Sequence, residues 1–147
     1  MSDDLPARML ERAMAVAARA HAGQTDKTGR PMIDHCRRVA AGVKDMEAKT
    51  VAYLHDIVEK NTAWTPDRLR TEGFSDRVVQ AVDAMTRRSG EDDMGLARRA
   101  ASNPLAREVK RADLQDNIGQ ARETGKDASR HVGALDMLVR EGFLDAQ

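Results

Sequence analysis

The sequence predicts an all-α protein that forms one domain over residues 1–147. Apolar residues recur with helical spacing along the chain, and no stretch alternates apolar and polar residues long enough to indicate a strand. A length of 147 residues fits a single domain, and no repeat, low-complexity tract or long linker divides it. Aromatic residues make up only 3% of the chain, so the core of the six to eight expected helices must come from Ala, Val, Leu, Ile and Met.

The first part of the chain predicts three helices. The first begins near Leu5-Pro6, because proline is tolerated in a first turn, and ends near Gly23, a residue typical of helix ends. A polar loop follows, and Pro31 then opens a second helix in which His35 lies on or beside the buried stripe. The third helix is predicted over about residues 47–59, where the apolar spacing also turns His55 inward.

The second part of the chain predicts five more helical segments. N-cap residues, prolines or apolar spacing mark their starts at Thr65-Pro66, Ser75-Asp76, Leu96, Pro104 and Ser129. The segment that starts at Leu96 stops by Ala101, because the residue before a proline disfavours the α conformation. In the helix that Pro104 opens, Asp113 lies four residues after Val109, at the edge of the apolar face.

Charge and composition exclude several classes of protein. The formal net charge is zero, which gives no general attraction to nucleic acid or to an anionic membrane. No apolar run approaches the roughly 18 residues that a membrane span requires. The single cysteine, Cys36, excludes an internal disulfide and fits a reducing compartment, and residues 1–6 lack the apolar region of a secretory signal. We therefore expect a cytoplasmic protein, and the sequence is compatible with a monomer or a homo-oligomer.

Four residues with metal-ligating side chains lie on or beside the apolar stripes: His35, His55, Asp56 and Asp113. Burying such groups costs on the order of several kcal/mol unless they are paired or ligated, and one divalent cation would account for all four placements. A single histidine on an apolar face is more often a satisfied core residue, but the set of four favours a metal site. Two imidazoles with two carboxylates suit Mn, Fe, Co, Ni or Zn better than Ca or Mg.

Other polar residues are candidates for the same site. Glu59 lies one helical turn after His55 and could act as a general base that handles water, or could hydrogen-bond a ligand histidine. Lys27 is either a phosphate-binding residue or an exposed loop lysine, and Asn117 either binds a nucleotide ribose or phosphate or caps local backbone. His21 is expected to line the pocket, the alternative being a histidine that interacts with the helix dipole.

Two further residues are predicted to lie outside the metal site. His131 has no partner in the pattern and is predicted to be structural or on the surface. Cys36 adjoins His35 but lies about 100° round the helix, which argues against ligation.

Several segments together form a pattern that is more specific than a general metal site. They lie at residues 21–35, 54–59, 73–74 with 82–88, 103–107 and 109–117. These segments resemble the HD-domain phosphohydrolases, a family named for the His-Asp doublet that His55-Asp56 matches. The likeness extends to the hydrolase domain of the RelA/SpoT alarmone enzymes and to its small stand-alone relatives. It covers roughly residues 5–120.

The resemblance implies an HD-type helical bundle and a Mn-type metal held by His35, His55, Asp56 and Asp113. It also implies hydrolysis of a phosphate or pyrophosphate ester of a small nucleotide. The expected partner is a small phosphorylated nucleotide. Guanosine 3′-diphosphate alarmones are the best-known substrates of this family, so a (p)ppGpp-like molecule is one candidate.

The sequence departs from the alarmone hydrolases beside the doublet. Those enzymes usually carry a Glu-Asp pair implicated in catalysis, whereas Glu59 is followed here by Lys60. Lys60 lies four residues after Asp56 and could pair with that ligand or contact a substrate phosphate. In addition, Leu114-Gln115-Asp116 replaces the usual Arg-Leu-His. An alternative function is therefore a nucleotide-binding or sensor HD domain with weak or no turnover, and a weaker one is a purely structural bundle.

Overall fold

The computed structural model describes residues 5–146, which form nine helices and no strand. The helices are α1 (Leu5–Ala20), α2 (Met32–Ala41), α3 (Met46–Leu54), α4 (Ile57–Lys60), α5 (Pro66–Thr71), α6 (Asp76–Ala84), α7 (Asp93–Ala101), α8 (Pro104–Glu123) and α9 (Ser129–Arg140). The prediction of an all-α fold is confirmed. Residues 1–4, which formed part of the argument against a secretory signal, lie outside the described residues. None of the helices described is long and apolar enough to cross a bilayer.

The helix predicted over residues 47–59 is interrupted in the structure. Helix α3 ends at Leu54 and α4 begins at Ile57. Between them, Asp56 has φ −101° and ψ −3°, away from regular α geometry. If α3 and α4 are counted as one interrupted helix, the described residues contain eight helices, at the upper end of the predicted range.

Side-chain caps explain where several helices begin. The Asn103 side chain accepts hydrogen bonds from the amides of Leu105 and Ala106, and Pro104 occupies the first turn, so α8 begins as predicted. Helix α7 begins three residues earlier than the predicted start at Leu96, because Asp92 Oδ1 accepts a hydrogen bond of 2.7 Å from the Gly95 amide.

Helix α3 lies at the centre of the larger of two apolar clusters and packs against α1, α2, α6 and α8. Its Val51, Ala52 and Leu54 are fully buried. The second cluster joins α7 and α9 to the later part of α8, with Leu114 and Leu138 among its buried residues. Helix α8 contributes to both clusters, so its middle turns lie where the two groups of helices meet.

Candidate metal centre

Three separate parts of the bundle bring the four predicted ligands together. His35 comes from α2, His55 and Asp56 from the break between α3 and α4, and Asp113 from the middle of α8. One ligand atom from each of the four side chains lies within 4.8 Å of the others. His35, His55 and Asp113 are buried, and Asp56 is partly exposed. Residues 78 positions apart in sequence thus form one compact group.

The interruption between α3 and α4 determines how the His-Asp doublet points. Successive side chains of a regular helix are about 100° apart, so neighbours do not face one point. Here Nε2 of His55 lies 3.3 Å from Oδ2 of Asp56. Leu54 and Ile57, on either side of the doublet, are both fully buried. These apolar anchors hold the two ends of the break in the core while the doublet faces the other ligands.

Hydrogen bonds orient both imidazole rings. His55 Nδ1 donates to the carbonyl oxygen of Ala52 at 2.6 Å, and His35 Nδ1 donates to Oδ2 of Asp116 at 2.7 Å. These partners can only accept, so each Nδ1 carries a proton, and Nε2 is the ring atom that faces the centre. The two Nε2 atoms lie 3.1 and 3.2 Å from the same oxygen, Oδ1 of Asp113. A carboxylate or carbonyl behind a ligand histidine is usual in protein metal sites.

Charge inside the centre shifts the pKa of each ligand. Burial opposes protonation of His35, but the carboxylates of Asp113, Asp116 and Asp56 outweigh it and raise its pKa to about 11. Burial is likewise outweighed at His55, whose pKa lies well above its usual value. Burial would raise the pKa of Asp56 and Asp113, yet the neighbouring cationic groups hold both well below the usual range. The two carboxylates therefore remain ionised, and their negative charge favours a proton or a metal cation at the neighbouring imidazoles.

The donor set fits a divalent transition-metal ion. Ligand bonds of about 2.0–2.2 Å place neighbouring ligand atoms about 3–3.5 Å apart. The Nε2-to-carboxylate distances within the group run from 3.1 to 3.5 Å. With neutral imidazoles the four side chains are anionic, although Lys110 Nζ lies 3.3 Å from Oδ2 of Asp113 and offsets part of that charge. The mixture of nitrogen and oxygen donors is unlike the oxygen-only sites typical of Ca and Mg.

The four ligands lie on the wall of a pocket of about 910 Å³, measured with its open mouth. Four other predicted residues also line this pocket: Lys27, Glu59, Lys60 and Asn117. Glu59 is exposed, and its Oε1 accepts a hydrogen bond of 2.6 Å from the Arg87 amide. Asn117 Nδ2 donates to Oδ1 of Asp113 at 3.2 Å, so this amide contacts a candidate ligand directly.

The structure places His21 differently from the prediction and agrees with one of the two alternatives for Lys60. His21 is not on the pocket wall; it is buried, its Nδ1 lies 2.8 Å from Gln24 Oε1, and its Nε2 has no hydrogen-bond partner among the described residues. Of the two contacts considered for Lys60, the ion pair with Asp56 is not formed within residues 5–146, and Lys60 lines the pocket.

Sequence reasoning missed the role of His131. This histidine is only 8% exposed, lines the pocket, and has Nε2 3.2 Å from the Lys27 ammonium. Burial lowers the pKa of His131 and the Lys27 charge lowers it further, so the neutral ring accepts a hydrogen bond from Lys27. No spacing pattern indicates this contact, because it depends on how α9 packs beside α8.

The contacts of Asp116 and Gln120 beside the centre were also not predicted, although a sequence signal exists for both. Asp116 contacts His35 from α8, and Gln120 contacts Asp116 at 2.8 Å. They lie three and seven residues after Asp113, the spacing of one helix face. A search of that face for polar side chains would have found both.

The fold and the site together define a class: an all-α protein whose helices place two histidines and two aspartates at one candidate metal centre. The family model described as HD domain matches residues 13–127, a range that includes all four of these residues, and the chain belongs to this family. HD domains are generally metal-dependent hydrolases, and the His/Asp group fits that chemistry. A search of the curated proteins finds no match to the chain.

Proposed function

We propose that this protein is a metal-dependent phosphohydrolase that cleaves a phosphate or pyrophosphate ester of a small nucleotide. A (p)ppGpp-like alarmone is the proposed substrate, as in the RelA/SpoT-type hydrolase domains that the sequence resembles. The observation that carries the proposal is the convergence of two imidazoles and two carboxylates within 4.8 Å beside a pocket with lysines on its wall.

Four residues would hold the metal: His35, His55, Asp56 and Asp113. We propose Mn²⁺, with Fe, Co, Ni and Zn as the other ions that suit this donor set. When bound, such an ion lowers the pKa of water and polarises a phosphoryl oxygen.

Glu59 is the proposed general base. Glu59 lines the same pocket as the candidate ligands and lies four residues after His55 in the chain. The 2.6 Å hydrogen bond from the Arg87 amide to Oε1 holds this side chain in place and leaves Oε2 to face water. From there Glu59 accepts a proton from the attacking water and orients it toward phosphorus.

Lys27 and Lys60 are the proposed anion-binding residues. Both line the pocket, and burial together with neighbouring cations, Lys60 among them, lowers the pKa of the Lys27 ammonium. An anion between the two lysines would relieve this repulsion. In the proposed reaction Lys60 offsets the charge that develops on the phosphoryl group, and Lys27 and Asn117 bind the rest of the nucleotide.

A second candidate function is nucleotide binding without turnover. The observation that favours it is Lys60, which occupies the position after Glu59 where alarmone hydrolases usually carry an acid. In this alternative the protein retains its metal and acts as a sensor.

One experiment separates the two functions. The purified protein is analysed for bound metal and assayed with Mn²⁺ against a panel of nucleotide diphosphates and polyphosphates. Turnover that Asp113→Ala abolishes, and that Asp136→Ala on the exposed face of α9 does not, would support the hydrolase. Tight nucleotide binding without turnover would support the sensor, and absence of any divalent metal under non-chelating conditions would contradict both.

A further inference from the structure

Asp116 lies behind the candidate metal centre and not on the pocket wall. Its Oδ2 accepts hydrogen bonds from His35 Nδ1 at 2.7 Å and from Gln120 Nε2 at 2.8 Å. The Arg38 guanidinium donates to both carboxylate oxygens, at 2.7 Å to Oδ1 and 3.1 Å to Oδ2. The Asp116 side chain is 14% exposed. A partly buried carboxylate with this many partners is held in one orientation.

Two chains of contacts run from Asp116 to the loop of residues 21–31, which carries Lys27 to the pocket. In the first, Gln120 donates to Asp116 and its Oε1 accepts a 3.0 Å hydrogen bond from the backbone amide of Lys27. In the second, Arg38 bridges Asp116 to Oδ2 of Asp26 at 2.9 Å. The backbone of Lys27 is thus tied to α8 while its ammonium faces His131 and the pocket.

Asp26 is the residue around which this loop turns. Its side chain is 2% exposed, and its Oδ1 accepts hydrogen bonds from the amide and the hydroxyl of Thr28 at 2.9 and 2.6 Å. The other oxygen binds Arg38. Without Arg38, the two aspartates would be left without their common counter-ion, and a buried carboxylate without a partner is strongly unfavourable. The loop and the ligand histidine therefore share one set of ionic contacts.

A second arginine–carboxylate contact between the same loop and α8 provides a comparison. Arg30 pairs with Glu123 at 2.9 Å, but both side chains are about half exposed and neither contacts His35. Such exposed pairs contribute little. The network of contacts that Asp116 forms with His35, Gln120 and Arg38 differs, because it is largely buried and includes a candidate metal ligand.

We propose that Asp116 is a positioning residue that orients His35 for the metal and, through Gln120 and Arg38, holds the Lys27 loop against the same centre. The inference rests on the proposed function, since it assumes that the His/Asp group binds a metal. It assigns to Asp116 a coupling between metal binding and the position of an anion-binding loop, so that loss of one carboxylate weakens both.

The test uses the full chain and two measurements that do not depend on turnover. Mn²⁺ affinity is measured by calorimetric titration, and hydrogen exchange is followed in a peptide that covers residues 24–31. For Asp116→Asn we expect Mn²⁺ affinity to fall about tenfold or more, as is usual when the partner of a ligand histidine is removed. We also expect faster exchange in residues 24–31 than in the rest of the bundle.

Two other variants complete the test. Gln120→Met removes the bond from the Lys27 amide, and with it the Gln120 contacts to Asp116 and to His35 Nδ1. It leaves the hydrogen bond between Asp116 and His35, so exchange should rise with a smaller loss of Mn²⁺ affinity. Glu123→Gln removes a carboxylate from the same helix that contacts the same loop, and both measurements should stay at wild-type values. If Asp116→Asn does not fold, Gln120→Met alone decides whether the loop depends on this network.

The outcomes are separable from those of the proposed function. If the wild-type protein binds Mn²⁺ and the Mn²⁺ affinity of Asp116→Asn is within about twofold of the wild-type value, the proposal is overturned but the candidate metal centre is not. Unchanged exchange of residues 24–31 in Gln120→Met would overturn the part of the proposal that concerns the loop. Wild-type protein that binds no Mn²⁺ would overturn the metal centre and this proposal together.

Discussion

The Nε2 atom of His55 lies 3.3 Å from Oδ2 of Asp56, the next residue in the chain. Successive side chains of a continuous helix point about 100° apart. Here the helix is interrupted at the doublet itself, since α3 ends at Leu54 and α4 begins at Ile57. The break is therefore part of the candidate metal centre, and a substitution that restored a continuous helix would be expected to separate the doublet.

Metal binding should strengthen as pH rises. In the metal-free protein the pKa of His35 is raised to about 11 and that of His55 is raised well above its usual value, so an Nε2 proton competes with a cation at each ring. A cation must displace these protons, which gives about a tenfold gain in apparent affinity per pH unit for each proton displaced. Calorimetry in buffers of different ionisation enthalpy should show proton release at pH 7.5. Affinity that is constant between pH 7 and 9 would contradict this expectation.

The metal-free protein should lose stability as pH rises. The folded-state pKa of His35 is raised to about 11 from 6.5, so its stabilising contribution is complete below pH 6.5 and disappears as pH rises toward 11. Urea unfolding of the chelator-treated protein at pH 7 and pH 9.5 measures the difference. The same protein with Mn²⁺ is the control, and its stability should fall less over this range because the metal replaces the protons.

Lys27→Met should weaken substrate binding. The ammonium lies on the pocket wall beside His131, where a charge-assisted hydrogen bond to phosphate contributes about 1.5–3 kcal/mol, or roughly tenfold or more in affinity. The measurement is KM for the best nucleotide of the panel, or Kd if no turnover is found. Lys126→Met, an exposed lysine outside the pocket, is the matched control. Equal substrate affinities for the two variants would contradict a role for Lys27 in substrate binding.

Lys60→Ala should lower kcat by about tenfold with a smaller change in KM, because Lys60 is proposed to act on charge that develops during the reaction. Steady-state kinetics with saturating Mn²⁺ test this. Lys60→Asp reverses the charge at this position and introduces the acid that is usual in alarmone hydrolases, so kcat should fall further if the lysine acts as proposed. A rise in kcat for Lys60→Asp would show that the lysine limits catalysis, contrary to the role proposed for it.

Arg99→Met should destabilise the fold by about 2 kcal/mol. Arg99 donates to backbone carbonyl groups at the C-terminal end of α6 and in the turn after it, and it pairs with Glu91 at 2.7 Å. Removing it leaves these carbonyl groups without their donor. Arg98→Met is the control, because its pair with Glu141 is exposed and should contribute little or nothing. Chemical unfolding of both variants decides whether their stabilities differ.

Local patterns explain why most helix boundaries were predictable. A cap such as Asn103, or a proline such as Pro104, acts on residues within one turn of itself, so its effect can be recognised in the sequence. The early start of α7 at Asp93 has the same kind of local cause in Asp92, which was overlooked. The break at His55 and Asp56 has no such local marker, because it depends on how Leu54 and Ile57 are buried in the core.

The sequence by itself determined the all-α class and the four candidate ligands, since helical periodicity and the spacing of His35, His55, Asp56 and Asp113 are properties of the chain alone. Only the tertiary structure decided that these side chains meet within 4.8 Å, that His131 faces Lys27, and that Asp116 connects His35 to the Lys27 loop. The physical reason is distance along the chain. Contacts between residues about 80 to 100 positions apart depend on the packing of α2, α8 and α9, which local spacing does not specify.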